Sequence, residues 1–224
     1  MKLPGKVVVI TGAANGLGRA LAYEFNTHNA VIVAVDQDDV GLASLQNQLP
    51  DLVTITADVT APSELKRVLD DTLKIHSQLD IWINNAGILA ADGPALEQDV
   101  LEIRRVFDVN TLALIDGSIV AGNHLKAKVD GWIVNILSST ALETSPGRSI
   151  YSASKHAGHG FSRALKAELK NVKVLAVYPE GIKTQLFGDS EEANYQLFMS
   201  GEQVARQIIS AIINEETQDL IIKR

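Results

Sequence analysis

The chain has 224 residues, of which 46% are hydrophobic and 21% charged, and its net charge is −7. This length allows a buried core without disulfides, and the absence of cysteine excludes disulfide scaffolds, thiolate zinc sites and cysteine nucleophiles. The acidic balance argues against nucleic-acid binding, which needs a clustered basic face. The sequence contains neither a signal-peptide pattern nor an apolar run of membrane-spanning length. It therefore predicts a soluble, cytoplasmic protein.

Seven short runs rich in β-branched residues are typical of strands. They are Val7–Ile10, Ala30–Val35, Val53–Thr56, Ile81–Ile83, Trp132–Ile136, Val172–Val177 and Leu220–Ile222. Because successive residues in these runs are apolar, both faces of each strand are expected to be buried, as in a parallel sheet.

Segments with helical spacing of apolar residues lie between the strands. One is marked by Leu17, Ala20, Leu21 and Phe25, a second by Leu65, Val68, Leu69 and Leu73, and the others run from about Val100 past Leu125, from Tyr151 to Leu169 and from Glu202 to Ile213. This alternation predicts one doubly wound α/β domain over residues 1–224, with a seven-stranded, mostly parallel sheet and helices on both faces.

The least regular segment covers residues 184–200. It contains an acidic patch followed by an apolar cluster: Asp189, Glu191 and Glu192, then Tyr195, Leu197, Phe198 and Met199. The segment follows a predicted strand end, where open α/β sheets bind ligands. A short lid and an ordinary surface connection are both compatible with it.

A glycine-rich turn joins the first strand to the first helix. The strand runs into Thr11, and glycines follow at positions 12, 16 and 18. Glycines let the backbone turn sharply and approach a pyrophosphate, whose charge is favoured at a helix N-terminus. The Gly-x-x-x-Gly-x-Gly spacing differs from the usual dinucleotide fingerprint. The strand before it and the helix after it favour a phosphate site over a tight turn without ligand.

Asp36 ends the second predicted strand, 24 residues beyond Gly12. A carboxylate there can accept hydrogen bonds from both ribose hydroxyls of an adenosine and would repel a 2′-phosphate. No Arg or Lys lies in the glycine turn or directly after Asp36. The pattern favours NAD over NADP, although aspartate is also common in plain turns.

Polar residues that can carry chemistry follow the central strands. Tyr151 and Lys155 lie four residues apart and hence on one helix face. Ser138 ends a strand thirteen residues before Tyr151, Asn110 lies within the long helix, and residues 84–87 (Asn-Asn-Ala-Gly) follow the fourth strand. All are expected to meet at the carboxyl ends of the strands. Taken singly, each also has a structural explanation, such as a polar strand exit or a kinked helix.

These motifs, in this order, resemble the classical branch of the short-chain dehydrogenase/reductase family from Lys6 to the last strand. The resemblance implies a Rossmann-type fold and hydride transfer between NAD and a small-molecule secondary alcohol or ketone. For cofactor binding it implies Thr11, Gly12, Asn15, Gly16, Leu17, Gly18, Asp36, Asp58, Val59, Asn85, Ala86, Gly87, Tyr151, Lys155, Pro179, Ile182 and Thr184. For catalysis it implies Asn110, Ser138, Tyr151 and Lys155.

The chemistry explains why such residue types are needed. A free phenol has a pKa of about 10 and is a weak base at neutral pH, so a neighbouring Lys155 cation is expected to lower the pKa of Tyr151. Ser138 is expected to stabilise the substrate oxygen, and Asn110 to hold a water between Lys155 and solvent. Tyr151 then acts as general base in oxidation and general acid in reduction.

One position departs from the family pattern. Glu180 follows Pro179 where the family usually has glycine. If that position needs a positive φ, a glutamate costs roughly 1–2 kcal/mol. The carboxylate could shape the charge preference for substrates or weaken cofactor binding, and both effects remain open.

Association with a second copy is also expected. The helices that begin near Val100 and Tyr151 resemble the family's dimer-forming pair, which implies a homodimer or homotetramer. Small residues that would permit close packing there are Ala113, Gly117, Ala121, Ala157, Gly160 and Ala164. No metal is expected, because His156 and His159 have no third ligand nearby in sequence.

Two alternative functions remain. A 3-oxoacyl carrier-protein reductase is disfavoured by Asp36, since that enzyme normally takes NADPH, and by the acidic residues of the 184–200 segment, which would repel an acidic carrier. A non-catalytic dinucleotide sensor would retain the fold, and Glu180 is the feature that favours it.

Overall fold

The apolar runs of the sequence form one parallel sheet. The computed structural model describes residues 1–128, 130–144, 146–183 and 198–223. The strands of the main sheet are β1 (Val7–Thr11), β2 (Val31–Asp36), β3 (Val53–Thr56), β4 (Ile81–Asn84), β5 (Gly131–Ile136), β6 (Val172–Pro179) and β9 (Leu220–Ile222). They pair in the order β3-β2-β1-β4-β5-β6-β9, and every pair is parallel. The order reverses between β1 and β4, which opens a crevice at their carboxyl ends.

The helices cover both faces of this sheet. They are α1 (Gly16–Thr27), α2 (Asp39–Gln48), α3 (Pro62–His76), α4 (Val100–Phe107), α5 (Ala113–Leu125), α6 (Ser149–Glu168) and α7 (Gly201–Ile213). The predicted single Rossmann-like domain is therefore confirmed. Within the ranges described, no helix is both long and apolar enough to cross a membrane.

Alternate side chains of each strand enter two separate cores. In β1, Val8 and Ile10 pack with residues of α1, α2 and α7, whereas Val7 and Val9 pack with residues of α3, α5 and α6. Successive strand residues point to opposite faces, so a strand covered on both sides must be apolar throughout. Trp82 and Trp132, predicted to be core residues, are both fully buried.

One helix was not predicted. In α2 only Leu42 and Leu45 are buried, so its apolar face is too short to give a clear helical period. The helix begins at a side-chain cap, because Asp38 Oδ1 accepts a hydrogen bond from the Gly41 amide at 2.9 Å.

The predicted long helix from Val100 past Leu125 is interrupted. Residues Asp108–Leu112 form a π-helical turn that separates α4 from α5. Asn110, expected inside a regular helix, lies in this turn and is 1% exposed. π-Turns of this kind are frequent at functional sites.

The small residues expected at a subunit contact fall into two groups. On α5, Ala113, Gly117 and Ala121 are buried within the chain itself, and a Cβ on Gly117 would lie 2.3 Å from Asn84 Oδ1. The expectation that these three residues contact a second copy is therefore wrong, because the core already covers them. On α6, the small residues Ala153, Ala157, Gly160, Ala164 and Ala167 are exposed.

Only the end of the predicted 184–200 lid is described. Residues 184–197, including the acidic patch, Tyr195, Leu197 and Thr184, lie outside the described residues. Strand β8 (Met199–Ser200) pairs with β7 (Ile182–Lys183) in a small parallel sheet. This pairing places Phe198 beside Gly181.

Candidate active site

A cavity of about 900 Å³ lies at the carboxyl ends of the central strands. Most of the predicted site residues line it, namely Gly12, Asn15, Gly16, Leu17, Asp36, Asp58, Val59, Asn85, Ala86, Gly87, Ser138, Tyr151, Lys155, Pro179 and Ile182. Thr11, Gly18 and Asn110 do not line the cavity, and they contact residues that line it. The sequence separation between these groups is large, and the parallel sheet brings them together because its strands all end on the same side.

The glycine turn is close-packed and needs its glycines. Gly12 has a φ of +66° and Gly16 a φ of +55°, a region that residues with a Cβ rarely adopt. A Cβ on Gly12 would lie 2.8 Å from Ala86 Cα, and one on Gly18 would lie 2.0 Å from the Gly12 carbonyl oxygen. The turn therefore presents bare backbone to the cavity at the N-terminus of α1.

Thr11 and Asn85 hold this turn from behind. Thr11 Oγ1 accepts hydrogen bonds from the Asn85 amide at 3.0 Å and the Ala86 amide at 3.2 Å. Asn85 Nδ2 donates to the carbonyls of Thr11 at 2.9 Å and Gly12 at 3.1 Å. These bonds connect the end of β1 to the end of β4, the two sides of the crevice.

Asp36 lies at the far end of the cavity. Its Oδ2 accepts a hydrogen bond from the Ala14 amide at 3.0 Å and its Oδ1 accepts one from the Asp38 amide at 3.1 Å. Arg19, which sequence analysis did not connect with this end, donates through Nη1 to the Ala14 carbonyl at 3.1 Å. These two hydrogen bonds from backbone amides fix the Asp36 carboxylate next to the glycine turn.

The three polar side chains predicted to act on substrate meet at the other end. Tyr151, Lys155 and Ser138 are 8%, 4% and 9% exposed, and the Ser138 side chain hydrogen-bonds the Tyr151 phenol. The Lys155 ammonium donates to the Ile136 carbonyl at 3.3 Å and lies 5.7 Å from the centre of the Tyr151 ring. Helix α6 therefore brings phenol and ammonium to one face.

Burial is the largest influence on the ionisation of Tyr151. It raises the pKa of Tyr151 to about 12, against smaller lowering effects of the Ser138 hydrogen bond and the Arg148 charge. The lowering of this pKa by the Lys155 cation stays a prediction. Burial also lowers the pKa of Lys155 to about 8, since the interior disfavours its charged form.

Asn110 fixes the wall of the cavity beside Lys155. Its Oδ1 accepts a hydrogen bond from the Ile88 amide at 2.8 Å, and its Nδ2 donates to the Ile88 carbonyl at 2.9 Å and to Ser154 Oγ at 3.1 Å. A Cβ on Gly87 would lie 3.3 Å from Asn110 Oδ1 and 3.4 Å from Lys155 Nζ. The side chains of Asn110 and Lys155 therefore both lie close to the backbone of Gly87.

Glu180 is not strained. It is absent from the described residues with positive φ, so the expected cost of a side chain at this position does not arise. Glu180 lines the cavity, and its amide donates to the Ile222 carbonyl at 3.0 Å. The glycine that follows it is needed, since a Cβ on Gly181 would lie 2.4 Å from the ring of Phe198.

Several cavity residues were missed by sequence reasoning. Those without a motif include Gln37, Ala57, Thr60, Ile88, Arg105, Val109, Leu142, Glu143, Arg148, Ile221 and Lys223. Most lie in connections whose course depends on tertiary contacts. The position of Arg148, directly before the helix that carries Tyr151, is the one signal that could have identified a member of this set.

The histidines of α6 have protein partners. His156 Nδ1 lies 2.9 Å from the Ser152 carbonyl, and His159 Nδ1 lies 2.7 Å from the Tyr178 hydroxyl. Across the described chain, no group of three His, Asp or Glu side chains is placed to hold a metal ion.

The cavity suits a dinucleotide on structural grounds. A pyrophosphate fits beside backbone that is kept free of Cβ atoms at Gly12 and next to the first amides of α1. Asn15 makes no side-chain cap at this helix end, and its Nδ2 donates instead to Asp38 Oδ2 at 3.0 Å. Asp36 offers a carboxylate where an adenosine ribose would lie.

Comparison with known proteins identifies a family of dehydrogenases. The family model for short chain dehydrogenase matches residues 6–194. Sex determination protein tasselseed-2 of Zea mays is 34% identical over 193 residues, which are 83% of this chain and 57% of that protein. The chain thus spans little more than half the length of this curated relative.

Solved structures share the fold over nearly the whole chain. A short-chain dehydrogenase/reductase from Burkholderia phymatum in complex with NAD has a TM-score of 0.89 and 24% identity, covering 99% of this chain and 90% of that one. ElxO with NADP bound has a TM-score of 0.88 and 24% identity, covering 97% and 96%. These structures show the fold, and the family match over residues 6–194 shows that the chain belongs to the short-chain dehydrogenase/reductase family.

Proposed function

We propose that the protein is an NAD(H)-dependent oxidoreductase that interconverts a secondary alcohol and a ketone. The observation that carries this proposal is the convergence of Tyr151, Ser138 and Lys155 in the cavity that also holds the glycine turn and Asp36. A phenol and a hydroxyl at one end and a dinucleotide cradle at the other suit proton transfer at the substrate oxygen and hydride transfer at the carbon that carries it.

Tyr151 is proposed to move the proton. Because burial raises its pKa to about 12, the phenol is protonated at neutral pH and can donate to a ketone oxygen as general acid. Ser138 is next to the phenol and would hold the same oxygen through a hydrogen bond. When bound, the nicotinamide supplies or accepts the hydride.

Lys155 and Asn110 are proposed to support this step. The Lys155 ammonium is close enough to the Tyr151 ring to act on the phenol and would also hold the nicotinamide ribose. Asn110 is proposed to keep a water between Lys155 and solvent, and its bonds to Ile88 place it beside the lysine. The remaining predicted cofactor residues, including Thr184, are proposed to contact the dinucleotide.

NAD is proposed as the preferred coenzyme. Its support is the Asp36 carboxylate, held by two backbone amides at the end of β2. A 2′-phosphate placed there would meet a negative charge at close range. Among the structural relatives, one is in complex with NAD and another has NADP bound. The proposed preference of this protein for NAD therefore depends on Asp36.

A homodimer or homotetramer is proposed as the working form. The outer face of α6 presents the exposed small residues Ala153, Ala157, Gly160, Ala164 and Ala167. Leu112, at the end of the π-helical turn, and Ile119 of α5 are 51% and 47% exposed. Small and apolar side chains on neighbouring helices permit close packing against a second copy.

Titration with NADH and NADPH is the first test. Binding is followed by coenzyme fluorescence and thermal shift, and turnover is then measured on a panel of small, cyclic and acyl-chain ketones. Tight NADH binding, weak NADPH binding and NADH-dependent ketone reduction are expected. Preference for NADPH with turnover of 3-oxoacyl carrier protein would favour the reductase alternative, and NADH binding without any turnover would favour the sensor.

Substitution Tyr151→Phe tests the proton-transfer role. Turnover is expected to fall by about 10²–10⁴-fold, the usual contribution of general acid–base catalysis. NADH affinity is expected to stay nearly unchanged, because the phenol acts on substrate. Tyr23→Phe, at a partly buried tyrosine outside the cavity, is the control. Retained turnover in Tyr151→Phe would contradict the mechanism.

A further inference from the structure

The Ser138 hydroxyl is held by the residue two positions further along the chain. The Thr140 amide donates to Ser138 Oγ at 3.2 Å, and the Thr140 hydroxyl lies 3.0 Å from the same oxygen, to which it donates. Thr140 belongs to the 3₁₀ turn Ser139–Ala141 and lines the cavity. One residue therefore makes two hydrogen bonds to the oxygen of Ser138.

This turn is tied to the helix that carries the phenol. Ser152 follows Tyr151 in α6, and its Oγ donates to the Thr140 carbonyl at 2.8 Å. Because Ser152 is only 3% exposed, water competes little for this hydrogen bond. Thr140 is thus held in place relative to the neighbour of Tyr151, on the side of the turn from which Ser138 faces the cavity.

The number of donors around Ser138 determines where its own hydrogen points. A serine hydroxyl has one hydrogen and two lone pairs. The amide and the hydroxyl of Thr140 occupy both lone pairs, so the hydrogen points away from Thr140. It is then directed to the Tyr151 phenol, with which the Ser138 side chain forms a hydrogen bond. Without the Thr140 hydroxyl, Ser138 is free to turn and to accept a hydrogen bond on that side.

We propose that Thr140 is a positioning residue whose hydroxyl fixes Ser138 as a hydrogen-bond donor towards the substrate oxygen. This inference rests on the proposed function, because it concerns the oxygen that Ser138 would hold while Tyr151 transfers the proton. The hydrogen bond from the amide forms with any side chain at position 140, whereas the second one needs a hydroxyl. A hydrogen bond accepted by Ser138 also polarises its O–H and strengthens it as a donor.

Thr140→Val removes this hydroxyl and keeps the backbone amide and the branched shape. We expect kcat for cyclohexanone, or for the fastest ketone of the panel, to fall about 3- to 10-fold, the ratio that corresponds to one neutral hydrogen bond. NADH affinity should stay unchanged, because the hydroxyl acts on Ser138. Thr140→Ser should restore most of kcat. Thr27→Val, which removes a hydrogen-bonded hydroxyl of α1 outside the cavity, is the control.

A double-mutant cycle separates positioning from structural damage. Ser138→Ala is expected to lower kcat by about 10²–10³-fold, as for other donors to a developing oxyanion. In that background Thr140→Val should cause no further loss, since no Ser138 hydroxyl is left to orient. A second loss of the same size would overturn the proposal. A KM increase with an unchanged kcat would also overturn it, and would assign Thr140 to direct substrate binding.

The orientation of Ser138 can also be followed without turnover. Protein labelled with ¹³C at tyrosine Cζ gives one resonance for each of its 4 tyrosines, and Tyr151→Phe identifies the resonance of Tyr151. The chemical shift of this carbon depends on the hydrogen bonds of the phenol oxygen. We expect Thr140→Val to move the resonance and Thr140→Ser to leave it near its original position.

In the Ser138→Ala background, Thr140→Val should leave the Tyr151 resonance where it is. A resonance that does not move when Thr140→Val is made alone would contradict the proposal, as would an equal movement in both backgrounds. If no ketone is turned over, the proposed function fails, and the Tyr151 resonance alone decides on the role of Thr140.

Discussion

Lys155 holds an ammonium group in the interior, where a charge is costly. Its side chain is 4% exposed, and its hydrogen bond to the Ile136 carbonyl is 3.3 Å long. Burial lowers its pKa to about 8, compared with about 10.4 in an unfolded chain. The folded state therefore binds this proton less tightly than the unfolded state. Below pH 8 that difference reduces stability fully, and it disappears as pH rises towards 10.4.

Lys155→Met is accordingly expected to stabilise the ligand-free protein while abolishing turnover. The gain is roughly 1–3 kcal/mol below pH 8, since an uncompensated buried charge is replaced by an apolar chain of similar length. It should shrink between pH 8 and pH 10. Urea unfolding at several pH values checks this, with Lys170→Met as an exposed control. A gain that does not vary with pH would contradict the electrostatic explanation.

Asp36→Ser tests coenzyme choice. NADH affinity is expected to fall about 10- to 100-fold, because hydrogen bonds to a charged group contribute about 1.5–3 kcal/mol. NADPH affinity should rise as the repulsion is lost. The Arg19 guanidinium is near position 36, because it donates to the carbonyl of Ala14, whose amide donates to Asp36. Asp39→Ser removes the same charge from an exposed site outside the cavity. Equal effects of both substitutions would show that only net charge matters.

Most individual residues of the candidate site could be predicted from the sequence. Tyr151, Lys155 and Ser138 could be found because their residue types and spacing follow from strand and helix geometry. Arg148 could not, because loop conformation brings it into the cavity. The effect of burial on the pKa of Tyr151 could not be predicted, since the extent of burial cannot be calculated from spacing alone.

The glycine turn is the element on which coenzyme binding depends most. Gly18→Ala would place a Cβ 2.0 Å from the Gly12 carbonyl oxygen, so the turn has to open. We expect a loss of about 1–3 kcal/mol in stability, as for other overpacked sites, and little remaining NADH binding. Thermal unfolding and NADH titration together measure both effects.

Gly122→Ala is the matched control for this change. Its Cβ would make ordinary contacts of 3.5 Å with Leu169 and 3.6 Å with Ile133. A helical glycine replaced by alanine without a clash should gain about 0.5–1 kcal/mol. If Gly18→Ala behaved like this control, the turn would not need its glycine.

The elements themselves were predicted unevenly. The strands of the main sheet were found because burial on both faces leaves continuous apolar runs. Helix α2 was missed because only Leu42 and Leu45 face the core. The π-turn at Asp108–Leu112 was missed because apolar residues with helical spacing continue on both sides of it.

For the whole molecule, the outer face of α6 predicts self-association. Ala157→Arg introduces a long charged side chain into a face of small residues, and we expect the oligomer to dissociate to smaller species. Sedimentation velocity measures the change. Ala43→Arg, on the exposed side of α2, is the control. A mass unaffected by Ala157→Arg would place the contact elsewhere.

The π-turn lets the two parts of the interrupted helix turn different faces towards the rest of the molecule. Each residue of an α-helix turns the chain by about 100°, so the additional residue in Asp108–Leu112 changes the rotational phase of α4 relative to α5. Val106 of α4 packs with Tyr151, whereas Ala121 and Leu125 of α5 pack against the sheet. Substitutions in α4 can therefore reshape the neighbourhood of Tyr151 while the contact of α5 with the sheet stays as it is.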